Sequence, residues 1–184
     1  DFYATELLAV LQSKLPTEIA SVVLVPVFPT NYFGDLFFLR SAPDEVFVSC
    51  AALGDIEIID GAWLGALLEH AQRPEVGAVG ALLLYPDRKV QHAGMFLARM
   101  GQARHAFRYA QESDLGYFGL GLTQRNVISV TGACLMTRRE TFEALGRFDE
   151  SHSVINNDLD YCLKALRGGL VNVFTPHSKL IHHE

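Results

Sequence analysis

The chain has 184 residues, of which 49% are hydrophobic and 20% charged, with a formal net charge of -6 at pH 7. That content supports a sizeable core in one domain and excludes a disordered or fibrous chain. The acidic balance leaves no overall electrostatic footprint for nucleic acid, and no apolar run reaches the roughly 20 residues that span a bilayer.

Residues 3–15 carry Leu7, Leu8, Val10, Leu11 and Leu15 at helical spacing before Pro16, which predicts a helix. The β-branched run 20–27 predicts a strand covered on both faces and ended at Pro26. Residues 34–41 read as a short helix or turn, and 45–49 as a second buried strand that runs into Asp55. A residue there is well placed, because open parallel α/β sheets bind ligands beyond the carboxyl ends of their strands. Asp60 or Gly61 starts a helix over 63–72 whose apolar face uses Trp63, Leu64, Leu67 and Leu68. Residues 76–85 form a further buried strand, Pro86-Asp87 a turn, and 90–97 its antiparallel return.

From 98 to 124 the pattern weakens, with Phe107, Tyr109, Tyr117 and Phe118 scattered among Gly, Arg and polar residues; their spacing does not repeat. A long irregular segment within a compact domain is usually functional or mobile. Residues 126–130 predict a strand, and Thr131, Gly132 and Ala133 after it are small enough to let a ligand approach the backbone. A helix follows over 138–145, closed by Gly146. The next is expected to be capped by the side chain of Asn156 or Asn157, repeats Leu159, Cys162, Leu163 and Leu166, and stops at Gly168-Gly169. Strands at 170–174 and 179–182, separated by Pro176, complete the chain, which shows no internal repeat.

The alternation predicts an α/β domain, a mainly parallel sheet flanked by helices. Cys50, Cys134 and Cys162 form no CxxC pair and sit among apolar neighbours, as buried thiols of a reducing compartment do. The chain is thus expected to be soluble and cytoplasmic, with any attachment at the inner face of a membrane made by regions outside it. It starts at Asp1 without a methionine and ends on a strand-like run at Glu184, as a piece of a longer protein would.

Three polar features remain once the core is assigned: Asp55, Asp158 with Asp160, and His182-His183. Asp158 falls in the first turn of its helix, where the dipole and free backbone N–H groups favour a negative charge, and a general base needs that charge. The same placement also serves a surface helix that merely complements its dipole. A carboxylate and an imidazole can together ligate Mn²⁺ or Mg²⁺. His70, His92, His105, His152 and His177 lack partners at ligand spacing and read as core or surface residues.

Five runs keep order and spacing with a known family: Asp55-Ile56-Glu57 with Trp63-Leu64, PEVGAVGALLLYPDRKVQHAG at 74–94, VTGACLMTRRETFEALGRFDE at 130–150, NNDLDYCLKALRGG at 156–169 and TPHSKLIHHE at 175–184. They resemble the acceptor-side half of the family-2 inverting glycosyltransferases, whose fold is GT-A, a Rossmann-like architecture. The resemblance implies metal-dependent transfer from a nucleotide diphosphate sugar, expected to be a UDP-sugar, to a glycan or cell-envelope polysaccharide. It implies Asp158 as the base that deprotonates the acceptor, with Asn157 where the family often has Glu, and Asp160 following. Asp55 resembles the last carboxylate of the metal-binding DxD motif, and His182 the histidine that completes that site around Mn²⁺ or Mg²⁺. Thr131, Gly132 and Ala133 resemble the segment that lines the sugar and acceptor pocket.

Residues 51–184 carry this likeness, whereas 1–50 are divergent and lack the nucleotide-binding motifs of the family's first half. Leu53 stands where the first acid of DxD belongs. Two readings follow: part of a longer, active transferase, or a GT-A-like domain reduced to glycan binding, assembly or self-association. A sugar-nucleotide nucleotidyltransferase ranks behind both, because no Gly-rich phosphate loop opens the chain.

Overall fold

The computed structural model describes the backbone of residues 19–24, 36–41 and 45–50, and residues 56–114, 116–149 and 156–183 with their side chains. Strands β1 to β11 are Ile19–Leu24, Leu36–Ser41, Glu45–Cys50, Ile56–Ile58, Val76–Leu84, Val90–His92, Met95–Leu97, Ala103–His105, Arg125–Val127, Cys134–Arg138 and Val171–His182. The helices are α1 (Trp63–Ala71), α2 (Arg139–Ala144) and α3 (Asn157–Arg167). The main sheet has the order β1-β2-β3-β10-β5-β11-β4, with β6 added to β5 and β9 to β11, and β7 and β8 form a separate hairpin.

The expectation of a mainly parallel sheet is corrected. Among the described pairings β5 with β11 is parallel and the rest are antiparallel. Short connections such as the one from β2 to β3 can join only antiparallel neighbours, whereas a parallel pair needs a crossover, and α3 lies in the one that leads to β11. Because β10 is antiparallel to both β3 and β5, those two strands still run in the same direction as β11. The start of β10, paired as Cys134 with Cys50, therefore lies at the carboxyl end of β3, level through Leu135 and Gly80 with the middle of β5. His182 closes β11 at its own carboxyl end.

Residues 36–41 form a strand where a short helix or turn was expected, because LFFLRS pairs with β1 on one side and β3 on the other. The expected return over 90–97 is two strands, broken at Gly94, whose φ is +83°. A Cβ there would lie 2.6 Å from Val127 Cγ1, so a side chain is excluded twice over. Strands 170–174 and 179–182 are one strand with an irregularity between Thr175 and Lys179. The helix expected at 3–15 and the end of the strand at Pro26 lie outside the described residues.

All nine residues of β5 are buried, and their side chains alternate between the two faces of the sheet. Val79, Ala81 and Leu83 join Trp63, Leu64, Leu67 and Leu68 of α1, and Ala78 faces Tyr161 and Cys162 of α3. The buried face of α3 is Asn157, Tyr161, Cys162 and Ala165, whereas Leu166 of the expected face is exposed. Gly77 explains this choice: a Cβ there would stand 2.5 Å from Ala165 Cβ, so the helix can close onto β5 only over a glycine.

Polar bonds then fix the helix. The Tyr161 hydroxyl lies 2.9 Å from Thr137 Oγ1, which donates to Gly77 O at 2.7 Å. Asn172 Nδ2 donates to Cys162 O at 3.0 Å and Ile128 O at 2.9 Å. Cys134 and Cys162 are buried thiols, and burial pushes the Cys162 thiol up to about 12. No helix among the described residues is long and apolar enough to cross a membrane.

Candidate functional site

The seat of α3 sets the position of Asp158. Asn156 precedes the helix at φ +83° and makes no side-chain cap bond, which corrects its expected capping role. Two backbone N–H groups bind the Asp158 carboxylate instead: Leu159 N donates to Oδ1 at 2.8 Å and Gly132 N to Oδ2 at 2.9 Å. The second bond joins residues 26 apart in the chain and brings together two features read separately from the sequence. A methyl at Gly132 would stand 3.5 Å from Asp158 Cβ, an ordinary contact, so the glycine lies directly over the carboxylate. Asp158 is half-buried, and each of its oxygens has a second lone pair.

Residues 131–134 form a tight turn into β10, in which Cys134 N donates to Thr131 O at 3.3 Å and Ala133 N to Thr131 Oγ1 at 3.4 Å. The Thr131 N–H points back to His92 Nε2 at 3.4 Å. His92 is fully buried, and the same nitrogen also accepts from Gly94 N at 3.2 Å. Two donors on Nε2 require its lone pair, so the ring proton sits on Nδ1 and is given to His105 Nδ1, 2.9 Å away. Burial is the main reason that the His92 pKa lies well below the ordinary histidine value, and His105 and Arg125 press the same way.

The residue before His92 serves the other side of the site. Gln91 Oε1 lies 2.7 Å from His182 Nδ1. An amide oxygen only accepts, so His182 presents an N–H at Nδ1 to it. Metal-ligating histidines are commonly held in this way, with one nitrogen bonded to an outer partner. In the ladder of β11 with β4, His182 pairs with Ile56, the residue that follows Asp55 in the sequence. Asp55 itself lies outside the described residues, and among the described residues no group of three His, Cys, Asp or Glu side chains converges.

The remaining candidates have plainer surroundings. Asn157 is buried under the first turn of α3. Asp160 Oδ2 pairs with Lys164 Nζ at 2.6 Å, one turn further along the same helix. His183 meets Glu57 at 3.1 Å at the sheet edge. Of the aromatic residues in 98–124, Tyr109 stacks on Tyr85 at 5.4 Å under Arg108, and Phe107 lies under Arg125. Tyr117 and Phe118 are exposed, edge to face at 4.6 Å.

Gln91 and His92 escaped the reading of the sequence, which treated His92 as an isolated core or surface histidine. One local signal was available: two adjacent polar residues in a strand that the neighbouring pattern marks as buried must both find partners.

No protein-family model matches the chain. Over 131 residues, 71% of its length, it is 46% identical to the O-antigen biosynthesis protein RfbC of Myxococcus xanthus. An equally long match, at 43% identity, is to the uncharacterized protein y4gI of Sinorhizobium fredii. Over 135 residues, 66% of its length, it is 28% identical to the N-acetylglucosaminyl-diphospho-decaprenol L-rhamnosyltransferase of Mycobacterium tuberculosis. The chain spans 10%, 14% and 42% of these three relatives.

Proposed function

We propose that this chain forms the acceptor-side half of a glycosyltransferase site that builds cell-envelope polysaccharide. The observation that carries the reading is the Asp158 carboxylate held by the Gly132 N–H just before β10, beyond the carboxyl end of β3. The names of the relatives, an O-antigen biosynthesis protein and a rhamnosyltransferase, support it.

In this reading Asp158 takes the proton of an acceptor hydroxyl. The hydroxyl oxygen bonds the anomeric carbon as the bond from that carbon to the diphosphate breaks, and the configuration inverts. Two N–H bonds orient the carboxylate, and its remaining lone pairs receive the proton. Thr131, Gly132 and Ala133 line the acceptor pocket beside it, with Asn157 beneath and Asp160 on the helix face. A divalent cation, Mn²⁺ or Mg²⁺, would be held by His182 Nε2 and Asp55 and would neutralise the departing diphosphate. The tautomer of His182 imposed by Gln91 fits that role.

Isothermal titration of the full-length protein with UDP-, dTDP- and GDP-sugars, in Mn²⁺ and then in EDTA, tests the reading. Binding of one nucleotide sugar, a UDP-sugar in the first instance, that is lost in EDTA is expected. Silence towards all three would overturn it and favour the second reading, a glycan-binding or assembly domain, which Leu53 in place of the first DxD acid motivates. That reading gains if a glycan binds undiminished in EDTA.

A further inference from the structure

We propose that His92 is a positioning residue of this site, whose Nε2 lone pair holds the turn that presents the Gly132 N–H to Asp158. The proposal rests on the reading of Asp158 as the acceptor base.

The chain of contacts is continuous. His92 Nε2 receives Thr131 N at 3.4 Å, and the next N–H along the backbone, that of Gly132, binds Asp158 Oδ2 at 2.9 Å. The same nitrogen receives Gly94 N at 3.2 Å, where the backbone leaves β6 at a left-handed φ. On its far side the ring meets His105 of β8 through Nδ1 at 2.9 Å, with the two rings edge to face at 5.0 Å. Two further backbone bonds brace the arrangement: Met95 N donates to Ser129 O at 2.8 Å, and Ala106 N to Gly94 O at 2.9 Å. One imidazole thus joins β6, the β7–β8 hairpin and the turn that starts at Thr131.

A purely structural role would be fulfilled by any polar ring that fills the space. The positioning role depends on one acceptor atom. Glutamine and asparagine separate the two, because Gln Oε1 lies as many bonds from Cβ as Nε2 does, whereas Asn Oδ1 matches Nδ1. His92→Gln keeps an acceptor where Thr131 and Gly94 need it. His92→Asn keeps a polar group facing His105 and leaves both N–H groups without an acceptor.

Hydrogen exchange followed by mass spectrometry on the full-length protein tests this without knowledge of the substrate. In His92→Asn the peptide covering 131–134 exchanges about tenfold faster or more, while the peptide covering α1 keeps its wild-type rate. In His92→Gln both peptides stay within about threefold of wild type, on the same scale of local opening. With whichever of the UDP-, dTDP- or GDP-sugars the protein turns over, His92→Asn lowers kcat about tenfold or more with KM unmoved, and His92→Gln restores it.

Wild-type exchange at 131–134 in His92→Asn would overturn the proposal. So would a His92→Gln protein that fails to fold, or that folds with kcat as low as the asparagine variant. If only His92→Asn fails to fold, the need for the Nε2 acceptor stands. If the exchange pattern appears while none of the sugars is turned over, the sugar-transfer reading fails, and what survives is His92 as the acceptor that holds the turn at Gly132.

Discussion

Asp158, Gly132 and His92 form one hydrogen-bonded series, yet only two of them could be picked out from the sequence. Asp158 was legible because it opens an acidic helix, and the segment around Gly132 because three small residues follow a strand. Neither sign revealed that the two touch. The role of His92 was hidden because its partners Thr131 and His105 are 39 and 13 residues away, beyond any local periodicity. The burial of His92 carries its own consequence for pH. Its pKa is depressed in the folded state, so below the unfolded value of about 6.5 the unfolded chain binds a proton that the native state refuses. The stability it contributes is therefore fully present above that pH and is lost as the pH falls, at about 1.4 kcal/mol per pH unit until the folded pKa is reached. Denaturant unfolding between about pH 5 and about pH 7 should show this slope in the wild type and a shallower one in His92→Gln.

The helix that carries Asp158 is held by its far face, where its sequence pattern was misleading. Helical spacing nominated Leu159, Cys162, Leu163 and Leu166, of which Cys162 is buried, but the sheet beneath offers Gly77 and Thr137, which accept a small residue and a hydroxyl. Ala165 and Tyr161 therefore face inward. Such a preference lies in the partner element and cannot be read from the helix alone. Gly77→Ala must push α3 outward from a 2.5 Å approach, and an overpacking loss of about 1–3 kcal/mol is expected. Turnover should drop with it, because Asp158 moves with the helix. Tyr161→Phe removes the hydroxyl's bonds to Thr137 Oγ1 and Gly77 O, so a loss of about 1–2 kcal/mol with an unchanged denaturant slope is expected from urea unfolding. The strand 36–41 and the break at Gly94 were misread for a related reason, since pairing partners and a left-handed backbone decided them rather than local propensity.

The alternation of strands and helices correctly indicated an α/β domain, but strand direction was not in the pattern. β10 enters between β3 and β5 against both, so three strands that share a direction make one parallel pairing among the described residues. The start of β10 lies at the carboxyl end of β3 and His182 at that of β11, the side on which open α/β sheets bind ligands. Between them β6 separates two duties, Gln91 towards His182 and His92 towards Thr131. If His182 holds a cation, Gln91→Leu removes the acceptor that fixes its tautomer, and titration should show metal affinity about 10–100-fold weaker with the fold intact. The most direct measurement is turnover of Asp158→Asn in the full-length protein, with donor binding followed in parallel. A fall of about 10²–10⁴-fold with donor affinity unchanged is the predicted result; undiminished turnover would contradict the assignment of Asp158 as the base.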